Sequence, residues 1–494
     1  MELKVKFMKW SAGLPVAMLN RKTANKMGIQ ETGRISVKTL SKHPKEISIL
    51  VDTIEKGIVK ENEIIVSSEM KKKIKLRIGQ KVDVNLASPP KSILYIKKKL
   101  NGKRLTEKEI NEIIRDIVNN SLSEAEVSLF VSAMYTKEMN FKETTWLIKA
   151  ILKSGNTLKW KSKYVVDKHC IGGVAGNRTT PLVVSICAAA GLNFPKTSSK
   201  AITSAAGTVD VINAVAEIEF GPKELKKLMR KSNAFLVWGG AFDLVPADSK
   251  IIKVEKELKI DPRAQLLASI MAKKLAVGSK YILIDIPYGK SSKLGKQGAL
   301  KLKRDFEKLG KHFKKKMKVV LTDGSQPIGN GAGPILEIMD VISILDPNKK
   351  GPIDLEEKSI FLSSKILEMT GKAKKGKGKI MAEELLSSGA AFKKFNQIIK
   401  AQNGSIEKLE LSKFKKDIYA KKSGKIIEIH NKKLNSLARV SGSPADSKAG
   451  TYLHVRVKDK IKKNEKILTI YSESKVRLNE ALRFYKATNP IKIK

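Results

Sequence analysis

The stretch Lys168-His169-Cys170-Ile171-Gly172-Gly173-Val174-Ala175-Gly176-Asn177-Arg178-Thr179-Thr180 decides the fold. It follows an extended run at 164–167 and opens a helical run at 179–190, with Pro181 in the first turn. A glycine-rich turn from strand to helix leaves backbone N–H groups unpaired at the positive end of the helix, which suits a phosphate. Lys168, Arg178 and Thr179 add charge and hydroxyl donors. No G-x-x-x-x-G-K-[ST] spacing and no dinucleotide fingerprint can be laid on it. Taken alone, the stretch is either an anion seat or a tight turn.

A second polar segment follows that helix: Lys196-Thr197-Ser198-Ser199-Lys200-Ala201-Ile202-Thr203-Ser204-Ala205-Ala206-Gly207-Thr208. It is dense in small hydroxyl residues and reads as a loop. In alternating strand–helix folds such turns gather at the carboxyl end of the sheet. Further strands are expected at 235–238, 281–286 and 318–321. Helices are expected between and after them at 222–232, 248–258, 262–277, 296–309, 355–370 and 382–402. This alternation predicts a mostly parallel sheet covered by helices. The apolar residues of 186–192 and 336–345 are at helical spacing and belong to the core.

Working outward, residues 1–87 alternate apolar and polar in short runs, with one helical pattern at 22–27 closed by Gly28, and read as a β-rich N-terminal module. Ala87-Ser88-Pro89-Pro90 is a linker. Residues 88–160 form a helical domain, its helices opening at Thr106 (capping-box partner Glu109), Ser123 and Thr144, and part of 220–265 is a candidate addition to it. Residues 161–420 form the α/β domain. Residues 421–494 form a small α+β domain with strands at 425–429, 452–457 and 466–471 and a last helix at 475–485.

The 494 residues carry 97 Lys+Arg against 49 Asp+Glu, a formal charge of +48. Such a balance proposes a nucleic-acid binder. The composition weakens that reading, because 84 of the cations are Lys and aromatics are only 5%, whereas base readout favours Arg forks and single strands favour aromatic platforms. Most of the lysines read as solvated surface. A 41% hydrophobic content excludes disorder for most of the chain. No apolar run approaches a membrane span and no export signal opens the sequence, so a soluble cytoplasmic protein is expected. Cys170 and Cys187 make neither a disulfide framework nor a zinc ribbon, and no metal cluster is called for.

The two loop motifs together resemble those of the nucleoside phosphorylase family that includes thymidine phosphorylase, closest to its archaeal AMP phosphorylase branch. Asp261-Pro262-Arg263-Ala264-Gln265-Leu266-Leu267-Ala268-Ser269-Ile270-Met271-Ala272-Lys273-Lys274, Asp285-Ile286-Pro287-Tyr288-Gly289 and Gly329-Asn330-Gly331-Ala332-Gly333-Pro334 extend the likeness over nearly the whole chain. The resemblance implies a helical domain facing an α/β domain across a cleft. It implies phosphorolysis: inorganic phosphate attacks the ribose C1′ of a nucleoside 5′-monophosphate, with no cofactor beyond phosphate as co-substrate, in a homo-oligomer. Residues matching the phosphate site are Lys168, Cys170, Thr179, Ser198 and Thr208. Those matching the nucleotide site are Gly173, Ser199, Lys200, Ala201, Ile202, Thr203, Ser204, Thr208, Arg263, Ser269, Lys273 and Lys293.

Asp261 matches the proton donor of the AMP-type enzymes, and His169 is the competing acid. Asp followed by Pro262 also reads as a helix N-cap with a first-turn proline, a place that favours the anion over the acid. Lys168, Lys200, Lys273 and Lys293 supply the positive charge that two anions on one sugar require. Cys170 and Lys200 stand where the family leads us to expect Ser and Arg, and Ala175 and Ala206 replace expected Pro and Pro or Gly. A pyrimidine nucleoside phosphorylase is the nearest rival reading. A phosphoribosyltransferase would require a magnesium–pyrophosphate site that the sequence does not offer. A non-catalytic nucleic-acid binder is the rival from a different class.

Overall fold

The computed structural model describes the chain except residues 9–14, 31–32, 56, 202–203 and 408 and the side chain of Lys72. It divides into two units, Met1–Ser154 with Pro246–Ser269, and Gly155–Val245 with Ile270–Lys494.

In the first unit, β1 (Glu2–Phe7), β2 (Val16–Asn20), α1 (Arg21–Lys26), β3 (Arg34–Thr39), β4 (Glu46–Ile54), β5 (Glu63–Val66), α2 (Ser68–Ile74) and β6 (Lys81–Leu86) make the N-terminal module. Its strands close a barrel in the order β1-β5-β2-β4-β3-β6, with β1·β5 and β2·β4 parallel. Alternation places Leu3, Val5, Leu19, Ile35, Val37 and Val84 inside. Strands β2 and β6 were not expected from the sequence; closure is a matter of non-local pairing.

Helices α3 (Ser92–Leu100), α4 (Glu107–Asn119), α5 (Glu124–Thr136) and α6 (Phe141–Lys153) follow, and helix Pro246–Leu258, α10 in chain order, packs with them. Reciprocal capping boxes Thr106/Glu109, Ser123/Glu126 and Asn140/Glu143 open α4, α5 and α6. The third box starts α6 ahead of the expected Thr144. Glu143 does more than cap: its Oε1 accepts from Lys99 Nζ and from Leu105 N, both at 2.9 Å, with Lys99 only 2% and Glu143 1% exposed.

In the second unit, β7 (Val166–Cys170), α7 (Thr179–Ala189), β8 (Phe194–Ser198), α8 (Thr208–Asn213), α9 (Pro222–Ser232), β9 (Ala234–Trp238), β10 (Tyr281–Tyr288), α12 (Lys296–His312) and β11 (Lys316–Asp323) build the expected parallel α/β layer. Helix α11 (Arg263–Ala276) runs from the first unit into the second. Strands pair in the order β11-β10-β7 and β8-β9, all parallel, and a Val165–Asn193 bridge joins β7 to β8. Residues Thr179 to Ala188 of α7 are all buried, as a helix apolar on every side should be. Helices α13 (Pro334–Leu345), α14 (Ile353–Thr370), α15 (Gly378–Ser387) and α16 (Ala390–Ala401) pack around it, after the short strand β12 (Gly331–Ala332).

Several expected bounds are corrected. The expected strand at 164–167 lies further on and takes Lys168, His169 and Cys170 into β7, because each pairs in register with β10. Lys196, Thr197 and Ser198, expected in a loop, lie in β8 beside β9. The single helix expected at 382–402 is two, broken where Gly389 takes φ 73°.

The C-terminal part holds β13 (Phe414–Tyr419), β14 (Gly424–Ile429), α17 (Asn431–Val440), β15 (Gly450–Leu453), β16 (Lys460–Ile461), β17 (Lys466–Ser472), α18 (Lys475–Thr488) and β18 (Ile491–Ile493). Its sheets run β12-β15-β17-β13 and β16-β14-β18. Helix α17 was not foreseen.

Replacing Glu143 with Ala should destabilise the protein by about 3–5 kcal/mol, since the Lys99 ammonium stays buried without its carboxylate. Thermal unfolding followed by circular dichroism should show a clear drop in midpoint for Glu143→Ala. An unchanged midpoint would mean that the ion pair is not buried in solution.

Candidate active site

Strand β7 delivers Lys168 beneath the first loop. Its side chain is 1% exposed, and Nζ donates to Thr179 Oγ1 at 2.6 Å and to Thr180 Oγ1 at 3.4 Å. Among the described residues no carboxylate pairs with it. Burial lowers its pKa from the ordinary lysine value. Among the described residues its hydrogen bonds go to hydroxyls alone, with Asp285 near enough to act on its charge.

The loop bends over this cation through left-handed Gly172, Gly173 and Gly176. A Cβ on Gly173 would lie 2.6 Å from Lys293 N, and one on Gly176 would lie 2.3 Å from Ile328 O, so only glycine fits against these two segments. Cys170 Sγ accepts from Gly172 N and Asn177 Nδ2, both at 3.4 Å. Burial, with Asp285 nearby, pushes its thiol up to about 11, so it stays protonated at neutral pH and acts as a weak donor. His169 is half-buried, and burial together with the charges of Lys274, Lys196, Lys273 and Lys168 holds its pKa well below the ordinary value.

Arg178 ties the two loops together. Its Nε donates to Glu337 Oε2 at 2.6 Å, one terminal nitrogen to Thr208 Oγ1 at 3.0 Å, and the other to Ala206 O at 2.8 Å. Asp210 closes the second loop on itself, its Oδ2 accepting from Ala201 N and Gly207 N at 2.7 Å. This Gly207/Asp210 box was not read from the sequence, although its three-residue spacing is a capping signal. The Glu337 and Asn330 sides were not legible. Asp340, pushed up to about 7 by burial, accepts from Asn330 N and Gly331 N.

The structure thus gathers Lys168, Cys170, Gly173, Thr179 and Thr208 around the two loops, with Ser198 at the end of β8. Ser199 is exposed, and Ala201 and Ser204 belong to the described part of the second loop. Ile202 and Thr203 lie outside the described residues. Lys200 is directed at a ring and a carboxylate: Nζ sits 4.3 Å from the Trp238 ring centroid and 3.9 Å from Glu219. Lys293 is exposed beside Gly173. Asp261, Arg263 and Ser269 belong to the first unit, and Lys273 to the second. Asp261 is corrected as an N-cap: α11 begins at Arg263, and the Pro262 carbonyl accepts the first helical bond, from Leu266 N, so Asp261 precedes the cap position. Arg263 lies 3.9 Å from Glu138.

Beside the site, Asp167 is fully buried between two lysines, with Lys274 Nζ at 2.7 Å and Lys196 Nζ at 3.3 Å. Lys196 also donates to the Lys168 carbonyl at 2.8 Å. Among the described residues no three of His, Cys, Asp or Glu gather as a metal site.

A parallel sheet covered by helices, with a glycine loop over a lysine that no carboxylate pairs among the described residues, defines an α/β protein. Family models match the chain in three segments: the glycosyl transferase family helical bundle domain at 94–155, its a/b domain at 162–392, and the pyrimidine nucleoside phosphorylase C-terminal domain at 425–492. Relatives named AMP phosphorylase include those of Methanococcus aeolicus (40% identical, 99% of this chain and 97% of the relative) and Pyrococcus furiosus (40%, with the same coverage). The chain belongs to the AMP phosphorylase branch of the pyrimidine nucleoside phosphorylase family, and is a pentosyltransferase. Among solved structures, the anthranilate phosphoribosyltransferase of Thermus thermophilus shares the fold, with a TM-score of 0.52 at 18% identity over 63% of this chain and 99% of that one.

Burial holds the Lys274 pKa down at about 7, against 10.5 for the ordinary side chain. The unfolded chain therefore binds a proton between these two values that the folded chain does not. This penalty on stability is complete below about pH 7 and fades as pH rises toward about 10. The difference in unfolding midpoint, wild type minus Lys274→Met, should therefore increase from pH 7 to pH 10. A difference independent of pH would contradict the burial of this ammonium.

Proposed function

We propose that the protein catalyses phosphorolysis of nucleoside 5′-monophosphates, AMP foremost and CMP and UMP with it, to the free base and ribose 1,5-bisphosphate. The observation that carries this reading is the Lys168 ammonium, buried at the foot of the glycine loop with the Thr179 and Thr180 hydroxyls as its only hydrogen-bond partners among the described residues. Inorganic phosphate seated there has a cation, hydroxyls and loop N–H groups to offset its repulsion from the nucleotide phosphate.

In the step itself a phosphate oxygen bonds to C1′ while the bond from C1′ to the base nitrogen breaks. That electron pair stays on the base, which takes up one proton. The transition state is positive at C1′, next to the phosphate oxygens, and negative on the departing base. We assign the proton to Asp261. His169, held neutral at pH 7 by burial and four lysines, is the weaker donor. The hydroxyl-rich 199–208 segment, with Lys293 beside Gly173, provides for the 5′-phosphate. The same reading makes the protein a cytoplasmic homo-oligomer acting on small molecules, with no cofactor beyond phosphate. Among the described residues no helix is long and apolar enough to cross a membrane.

Incubation with phosphate and, separately, AMP, CMP, UMP, uridine and thymidine tests the reading. Free base with ribose 1,5-bisphosphate is expected from the nucleotides. Turnover of nucleosides alone would make the protein a pyrimidine nucleoside phosphorylase. In the same assay Asp261→Asn should lower kcat by about a hundredfold with KM nearly unchanged. Near-normal turnover would remove Asp261 from the acid role.

A further inference from the structure

Helix α17 of the C-terminal part presents two buried carboxamides, four residues apart and so on one face, to the two loops of the site. Asn431 Oδ1 accepts from Ala175 N, in the middle of the glycine loop, at 3.0 Å. Its Nδ2 donates to Ser291 Oγ at 2.9 Å and to Gly324 O at 3.0 Å, and its own N–H donates to Ser291 Oγ at 3.2 Å. Asn435 Oδ1 accepts from Ala205 N, in the second loop, at 2.9 Å. Ser443, just beyond the helix, donates to the Ala205 carbonyl at 2.7 Å.

Packing repeats the pattern. The Ala175 methyl is part of the C-terminal core with Leu434 and Leu437, and the Ala205 methyl meets Ala438. Each loop is therefore held at one alanine by a hydrogen bond to its amide and by burial of its methyl on α17.

From this geometry we infer that Asn431 and Asn435 are positioning residues for the reaction: through them the C-terminal helix sets the shape of both anion-binding loops. This inference rests on the phosphorolysis reading for its kinetic consequence. A loop with three left-handed glycines has little backbone preference of its own. Its N–H groups converge on an anion only if something outside the loop fixes them, as the outer partners of metal ligands do elsewhere. Asn431 and Asn435 each accept from one N–H of a loop, that of Ala175 in the first and that of Ala205 in the second. The role is that of an orienting acceptor, so the chemistry required is an oxygen at the right place rather than an amide as such.

Asn435 allows a clean test, because its contact with the loop uses the acceptor oxygen, which Asn435→Asp keeps and Asn435→Ala removes. Asn435→Ala should raise KM for AMP by about tenfold while kcat falls much less, the size expected for one lost hydrogen bond to a buried amide. Asn435→Asp should restore KM. Ser443→Ala, a milder change on the same loop, should move KM in the same direction. Hydrogen exchange, which needs no turnover, should be faster at 204–208 in Asn435→Ala with the rest of the chain unchanged. A wild-type protein that leaves AMP untouched would remove the activity reading, and exchange at 204–208 would still decide the loop contact. Wild-type KM together with wild-type exchange in Asn435→Ala would overturn the inference. Uniformly faster exchange that Asp does not repair would reduce α17 to ordinary scaffolding and overturn it equally.

Discussion

The candidate site is built on a buried ammonium that no carboxylate pairs among the described residues. Lys168 lies at 1% exposure with hydroxyls as its only partners among the described residues. Burying a charge in this way costs several kcal/mol unless something offsets it. A sheet that carries the residue in one of its paired strands, and a helix that fixes Thr179 and Thr180 over it, make the arrangement tolerable. The lowered pKa of Lys168 reports that cost, and a bound anion would relieve it. On the proposed reading, the substrate phosphate supplies the partner charge that this lysine lacks in its hydrogen bonds.

The surrounding charges keep that cation from being neutralised by the protein itself. Asp167, the neighbouring carboxylate in β7, is occupied by Lys274 and Lys196. Glu337 is taken by Arg178. Asp285 accepts from Thr322 at 2.6 Å and lies 3.4 Å from Lys358. Each of these acids has its own cation or donor. On the proposed reading, the positive charge at the foot of the glycine loop is left for the substrate phosphate. The +48 of the whole chain is a different matter, since it sits largely on solvated side chains that add at most a weak, salt-screened attraction for nucleotides.

Much of this was legible in the sequence. The strand–glycine turn–helix order, the hydroxyl-rich second loop and the apolar period of α7 point to a parallel α/β layer with an anion at its loops. What escaped has physical reasons. Strands β7 and β8 extend into Lys168-His169-Cys170 and Lys196-Thr197-Ser198, where function places polar residues inside a sheet and erases the apolar signal. Helix α17 escaped because its ten residues open without a side-chain cap, and the face of Leu434, Leu437 and Ala438 finds its partners in the C-terminal core and at Ala205, far along the sequence. The barrel was visible only as alternating runs, since its order is set by pairings far apart in sequence. At Asp261 a strong local pattern misled, because the helix starts at Arg263, one residue later than expected, and Pro262 takes the cap position.

The affinity for inorganic phosphate, followed by a phosphorus NMR titration of wild-type and Lys168→Gln protein, tests the central claim most directly. Gln removes the charge and keeps an N–H donor, on a side chain one atom shorter. Phosphate should bind the wild type and bind Lys168→Gln at least about tenfold more weakly, the lower end expected for loss of one charged partner. Equal affinity in the two proteins would show that the buried lysine does not seat the phosphate, and would contradict the account.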